Sequence, residues 1–361
     1  MAKNFEEMVR DKQRQRKNQN ITIKIQAQSV PAAGGTNSKL WLENLERWSK
    51  SARTNMNKKL ACLIVRHGEE EEVYADVCRW CLENNVVEQV VVASKHAPRV
   101  QKGGSYPKVL ASNLFVGLQV KMGASLWKIG YNANIFDKDN SRVVMMIGCD
   151  VYHDISHKSY RGPNGESWPS TMAFTCEVPN KLNGAFFAAR QYLLPSRQEI
   201  SAKFTHEAVT SLLKQFHSLA KIFPMAIIYY RDGVGDQSYD EVKGNEIEAV
   251  KKAIIDLNPN TRLAYMIVQK RLGTRMFTNR GLNPPPGTIV TGGITRPHSS
   301  CLTDFIMQPC DLGQGTARPV HYDLLFNNLP PVITARDLQE LTYQACHMYP
   351  NYPGTVKVSF L

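Results

Sequence analysis

The chain has 361 residues, 43% of them hydrophobic and 21% charged, and it carries a formal net charge of +12. These values are typical of a soluble globular protein that is long enough for two domains. No uninterrupted apolar stretch approaches the length of a membrane span, and the first seven residues show no apolar core of a signal peptide. The sequence therefore predicts an intracellular protein without a membrane anchor.

The positive charge is concentrated near the N-terminus. The first 60 residues contain 13 Lys and Arg against 5 Asp and Glu, and residues 31–38 are rich in Pro, Gly and Ala. A basic excess favours a nucleic-acid partner, because phosphate neutralisation releases counterions. We expect residues 1–40 to form a basic, flexible N-terminal segment.

Strand and helix patterns alternate over the next part of the chain. The predicted order is helix 41–51, strand 60–65, helix 69–84, strand 90–92 and helix 106–121. Such alternation is typical of a small α/β domain, which we place at residues 41–132.

From residue 133 to residue 361 several strands precede a long helix, which predicts a second α/β domain. Its elements are strand 143–151, a hairpin around 171–176, strand 184–190, helix 198–222 and strand 225–230.

Two strands of this second domain each end with an aspartate. Residues 143–151 and 225–230 are almost continuously apolar, as in strands buried on both faces of a sheet, and they deliver Asp150 and Asp232. A carboxylate at such a position is costly to bury unless it is paired or binds a metal. With a later histidine, His321, these aspartates suggest a divalent-metal site for phosphodiester chemistry.

Five motifs resemble signatures of the Piwi branch of the Argonaute family, and the resemblance covers roughly residues 60–356. The motifs are Gly-Cys-Asp-Val-Tyr-His-Asp at 148–154, Tyr-Arg-Asp-Gly-Val at 230–234, Val-Gln-Lys-Arg at 268–271, Asn-Pro-Pro-Pro-Gly-Thr at 283–288 and Leu-Thr-Tyr-Gln-Ala-Cys-His at 341–347.

The resemblance implies a Rossmann-like MID domain followed by a ribonuclease-H-like PIWI domain. It also implies an RNA endonuclease that uses a small guide RNA of the piRNA type to cut a complementary target RNA in RNA silencing. Two metal ions would assist the cut, with Mg²⁺ as the expected ion and Mn²⁺ as a substitute. Proteins of a silencing complex are further expected partners.

The same resemblance implies a catalytic set of four residues. Asp150, Asp232 and His321 match the metal ligands, and His321 is expected at the start of a helix. Glu199 matches a glutamate that enters the site and completes the set, with Glu207 as a second candidate. His153 and Asp154 in the first motif are expected to support the ligands rather than to bind metal.

In the MID domain, the resemblance implies a pocket for the 5′-phosphate of the guide. Tyr74 would stack on the first base, while Gln89 and Lys121 would donate to the phosphate. Two positions depart from the family pattern, since Cys78 stands where a lysine is expected and Gly117 where a lysine or glutamine is expected.

Three functions remain open on the sequence alone. The first is guided cleavage, the second is a silencing module that holds guide and target without cutting, and the third is a guide-independent nuclease of the ribonuclease-H type. The altered pocket and the end at residue 361, where family members continue, favour the second. The two domains that normally precede this region in the family are absent, which leaves open a fragment or a short natural form.

Overall fold

A computed structural model describes most of the chain and divides it into two compact units. One unit is formed by residues 1–127 and 350–352, the other by residues 128–349 and 353–361. The described residues are 38–52, 60–66, 71–92, 106–122, 143–153, 169–181, 184–295, 300–312, 315–349 and 354–357. The basic segment before residue 38 and Asp154 lie outside them, and the predicted domain limits stay predictions.

The first unit alternates helices and strands, as the sequence predicts. Its elements are α1 (Ser38–Ala52), β1 (Leu60–Arg66), α2 (Glu71–Glu83), β2 (Val86–Val92) and α3 (Tyr106–Lys121). The two strands pair in parallel, with Leu60 opposite Val86. The apolar faces of α1 and α2 pack together around Leu45, Val77 and Trp80.

The second unit is built on one eight-stranded mixed sheet. Its strands are β3 (Val144–Tyr152), β4 (Ser170–Lys181), β5 (Gly184–Leu194), β6 (Ala226–Asp232), β7 (Arg262–Gln269), β8 (Thr288–Val290), β9 (Thr303–Gln308) and β10 (Val320–Asn327). They lie in the order β5-β4-β3-β6-β7-β10-β9-β8. Strands β3, β6 and β7 run parallel, and the remaining pairs are antiparallel.

In the part of this unit that the structure describes, four α-helices accompany the sheet: α4 (Ala202–Ala220), α5 (Tyr239–Val242), α6 (Glu248–Leu257) and α7 (Ala335–Ala345), with a π-helical turn at Lys243–Ile247 between α5 and α6. Helix α4 begins where the Ser201 side chain accepts from the Phe204 N–H, and it ends at the left-handed Lys221. A capping box between Thr334 and Asp337 starts α7. Among the described residues, no helix has the length and apolarity of a membrane span.

Helices cover both faces of the sheet, which explains why its central strands are almost continuously apolar. The α4 face carries Ile147 and Tyr229, which pack with Leu212 of α4. The α7 face carries Ile228 and Tyr230 with Leu338 of α7, among others. Because successive side chains of a strand point to opposite faces, each further strand residue can be assigned to one face.

Three sequence predictions differ from the structure. His321 lies in β10 and not at a helix start. The hairpin expected around residues 171–176 is one continuous strand, β4, and its partner strand β5 begins at Gly184, which pairs with Lys181. Helix α4 begins at Ala202 rather than at residue 198, because Ser201 caps it, so Glu199 stands before the helix.

Candidate active site

The two predicted aspartates meet at the carboxyl ends of adjacent parallel strands. The register of β3 and β6 pairs Cys149 with Arg231, so the next residues, Asp150 and Asp232, stand level. Both project to the α7 face by the alternation of their strands. Burial raises the pKa of Asp150, and the charge of Asp232 raises it further. The two carboxylates are therefore close enough to repel each other.

Lys270 provides positive charge at this pair. It directly follows β7, and its Nζ lies 2.6 Å from Oδ2 of Asp232. Its charge also opposes the rise of the Asp150 pKa. A partly buried pair of carboxylates is stabilised by a cation, and hard oxygen donors suit Mg²⁺ or Mn²⁺. The donor set fits the predicted ion, which would compete with Lys270 for Asp232.

A third carboxylate, that of Glu199, lies beside Gly233 on the side where Asp150 lies. This glycine has φ +86°, and a Cβ added to it would lie 3.6 Å from both Asp150 Oδ1 and Glu199 Oε1. The missing side chain leaves room between the two carboxylates. The structure thus gathers three of the four predicted catalytic residues around one glycine.

Changing Gly233 to alanine is expected to destabilise the protein by about 1–2 kcal/mol, because an L-residue is strained at positive φ. The new methyl group also enters the space between two carboxylates. Urea unfolding measures the first effect, with Gly235→Ala as control, since nothing lies within 4 Å of a Cβ there. Equal stability of both variants would contradict the strain argument.

Two side chains hold Glu199 in place. Arg231 donates from one terminal nitrogen to Glu199 Oε1 at 3.0 Å and to its backbone carbonyl at 2.6 Å. His153 Nε2 lies 2.7 Å from Glu199 Oε2, while its Nδ1 lies 2.7 Å from Ser170 Oγ. His153 therefore positions the glutamate, as the first motif predicts for a supporting residue.

Arg231 is fully buried and is itself held by a second glutamate. Its Nε lies 3.0 Å from Glu246 Oε2, and the Tyr265 hydroxyl donates to the same oxygen at 2.7 Å. Glu246 lies in the π-helical turn and is also fully buried. A turn of this kind re-aims a side chain out of the regular helical position. Two glutamates thus compensate one buried guanidinium.

His321 does not join the paired aspartates. It stands between Val320 and Tyr322, whose side chains pack on the α7 face, so it projects to the α4 face. Asp150 and Asp232 project to the α7 face. The structure therefore does not bring His321 to the side of the sheet that carries Asp150 and Asp232.

His321 instead lies between two aspartates, Asp304 and Asp323. Its Nε2 is 2.8 Å from Asp304 Oδ2, and its Nδ1 is 3.5 Å from Asp323 Oδ2. One donor atom from each of the three residues lies within 4.8 Å of the others, as in a metal site. The Tyr239 hydroxyl donates to Asp323 at 2.6 Å. Burial raises the pKa of Asp323, against the lowering effect of that hydrogen bond.

In the first unit, Tyr74 lies on α2 and Lys121 is the last residue of α3. Burial raises the pKa of the Cys78 thiol, and a hydrogen bond with Tyr74 and the charge of Lys121 oppose that rise. Lys121 donates to the Glu88 carbonyl at 2.8 Å and lies 3.3 Å from its carboxylate. Gln89 follows Glu88 on β2 and so projects to the opposite face of the strand.

Several residues of these sites are not singled out by the sequence. Asp304 is one of them, yet it is only 4% exposed. The His-x-Asp spacing of His321 and Asp323 would have placed both on one face of a strand, had the strand been recognised. No sequence pattern pointed to Glu246, because its role depends on the π-helical turn.

The mixed sheet covered by helices defines an α/β protein, with two aspartates at the carboxyl ends of adjacent parallel strands. A family model described as the Piwi domain matches residues 60–360. The chain belongs to this family, whose domain has a ribonuclease-H-like fold. The predicted fold class and family are thereby confirmed.

Curated relatives carry the same family name. The chain is 25% identical to Piwi-like protein 3 of Homo sapiens over 348 residues, which is 94% of this chain and 35% of the relative. It is 29% identical to Piwi-like protein Ago3 of Bombyx mori, over 80% of this chain and 29% of the relative. The chain thus spans about a third of the length of these relatives.

Solved structures show the same fold at low sequence identity. The crystal structure of Drosophila Piwi matches with a TM-score of 0.72 and 20% identity, over 99% of this chain and 44% of that one. Kluyveromyces polysporus Argonaute, solved with a guide RNA, matches with a TM-score of 0.68 and 17% identity, over 99% and 40%.

Proposed function

We propose that this chain is the catalytic and guide-binding part of a small-RNA-guided endoribonuclease. The observation that carries the proposal is the convergence of Asp150, Asp232 and Glu199 around Gly233. Three carboxylates at the ends of parallel strands form a donor set for divalent ions in phosphodiester cleavage. Guide binding is supported by the family and by an Argonaute of the same fold that was solved with a guide RNA.

The residues would divide the work by their geometry. Asp150 and Asp232 would hold the metal, and a bound ion supplies a Lewis acid and a water of lowered pKa. Arg231 and His153 hold Glu199 in place, and Glu199 would orient that water by accepting a hydrogen bond from it. Lys270 would move from Asp232 towards the phosphate, where its positive charge offsets the negative oxygens.

The direct test is cleavage of a labelled RNA by protein loaded with a 5′-phosphorylated guide in Mg²⁺. The proposal predicts one cut that needs a complementary guide and is lost in Asp232→Asn. The same cut with a non-complementary guide, or an RNA–DNA hybrid cut without guide, would instead identify a guide-independent nuclease.

A second candidate is a silencing module that binds guide and target without cutting. The separation of His321 from the aspartate pair and the ion pair of Lys270 with Asp232 favour it. Guide retained on the protein, with uncut target at every Mg²⁺ or Mn²⁺ concentration, is the result expected of this module. That result would overturn cleavage while leaving guide binding intact.

Changing Glu88 to glutamine is expected to tighten binding of a 5′-phosphorylated guide by about fivefold. Glu88 pairs with Lys121, so its negative charge opposes a phosphate at the proposed pocket. Filter binding measures the affinity of each variant for guides with a 5′-phosphate and for guides with a 5′-hydroxyl. Glu83→Gln, on the last residue of α2, is the matched control. Equal tightening for both guide types would show that Lys121 does not receive the phosphate.

Partners and cellular location belong to the same proposal. A guide RNA and a complementary target RNA are the proposed ligands, proteins of a silencing complex are further proposed partners, and the proposed location is inside the cell.

A further inference from the structure

The cluster formed by Asp304, His321 and Asp323 lies apart from the aspartate pair at the ends of β3 and β6. Strands β9 and β10 pair antiparallel, with Asp304 directly opposite Asp323. His321 stands two residues before Asp323, so the imidazole projects to the same face. Neither aspartate is ligand to the proposed catalytic ion.

Two carboxylates directly opposite each other across a strand pair destabilise a sheet. The side chains of Asp304 and Asp323 are only 3% and 2% exposed. Two neutral groups donate to Asp323, namely the Tyr239 hydroxyl at 2.6 Å and the Cys301 thiol at 3.6 Å. A divalent ion beside the imidazole would offset the charge of both carboxylates, and one donor atom of each of the three residues lies within 4.8 Å of the others.

We propose that Asp304, His321 and Asp323 bind one divalent transition-metal ion, of which Zn²⁺ is the representative. A divalent ion carries the two positive charges that balance two carboxylates. One imidazole and two carboxylates are a ligand set that Zn²⁺ accepts with a water in the fourth position. An imidazole ligand disfavours Mg²⁺, which prefers oxygen donors.

The proposed site would link two parts of the second unit. Asp323 connects through the Tyr239 hydroxyl to α5, and Gln269 at the end of β7 donates to the same hydroxyl at 2.7 Å. A bound ion would fix β9 and β10 against this helix. The site is structural, and the proposal is independent of cleavage.

The test is Zn²⁺ stoichiometry by equilibrium dialysis of the full chain, in an Asp150→Asn background that weakens binding at the aspartate pair. His321→Gln in the same background removes one ligand, and Asp304→Asn removes another. We expect each to lose one equivalent of Zn²⁺ that the background protein retains. His206→Gln, a partly exposed histidine paired with Asp256, is the control that should lose none.

Thermal unfolding gives an independent reading. A hundredfold excess of Zn²⁺ over Kd is expected to raise Tm by roughly 5–10 °C in the background protein, and the same concentration of Mg²⁺ to leave it unchanged. Circular dichroism establishes that each variant is folded. Equal Zn²⁺ content in the background and both ligand variants would overturn the proposal.

Discussion

Changing Asp150 to asparagine is expected to reduce guided cleavage by ~10³-fold or more, because the aspartate pair would lose a metal ligand. The same change is expected to stabilise the metal-free protein at neutral pH. Burial and the charge of Asp232 raise the pKa of Asp150 in the folded state. The contribution of the Asp150 carboxyl to the free energy of unfolding is therefore fully present below the unfolded-state pKa. It is lost as the pH rises through the folded-state pKa.

Single-turnover cleavage and thermal unfolding across pH, with and without Mg²⁺, measure both effects. Without metal the variant should melt above the wild type at pH 7, and the difference should close as the pH falls below about 4. Saturating Mg²⁺ should raise Tm of the wild type alone. A variant that melts lower than the wild type at neutral pH without metal would contradict the repulsion between Asp150 and Asp232.

Changing Arg231 to methionine is expected to lower the free energy of unfolding by about 3–5 kcal/mol. The change leaves Glu246 buried without its cation, and the loss of one partner of a buried ion pair is strongly destabilising. It also releases Glu199, because Arg231 donates hydrogen bonds to both the carboxylate and the backbone carbonyl of that residue. Urea unfolding gives the first effect, and cleavage by the fraction that remains folded gives the second.

A double change separates stability from positioning. Arg231→Met with Glu246→Gln should recover part of the lost stability, because no buried carboxylate remains uncompensated at that point. Cleavage should stay low, since Glu199 is still released. Arg190→Met is the matched control: Arg190 donates to the neutral Ser211 and Gln215 and should cost no more than about 1 kcal/mol. Recovery of cleavage in the double variant would show that Arg231 does not position Glu199.

The sequence predicted the strands that carry the site because their signals are local. An apolar run ending in aspartate predicted both β3 and β6, and their parallel pairing places Asp150 level with Asp232. Glu199 was identified through the family resemblance, and its approach to Gly233 required the structure. The family and fold follow from short motifs spread along the chain.

The position of His321 could not be predicted, because the face of a strand depends on register. A motif that contains a histidine does not show which face of the sheet the side chain occupies. A change of strand register by one residue moves the side chain to the opposite face. Because a helix was expected at His321, the sequence did not show that His321 and Asp323 lie on the same face of a strand. Pairing of Asp304 with Asp323 joins two strands separated by a long connection, so no local pattern could show it.

The most direct test of guided cleavage is to map the cut produced by two guides whose complementary sites are offset along one target RNA. The account predicts that the cut moves by the same offset as the guide, in Mg²⁺, and disappears in Asp150→Asn. A cut that stays at one position with both guides, or one that persists in Asp150→Asn, would contradict it.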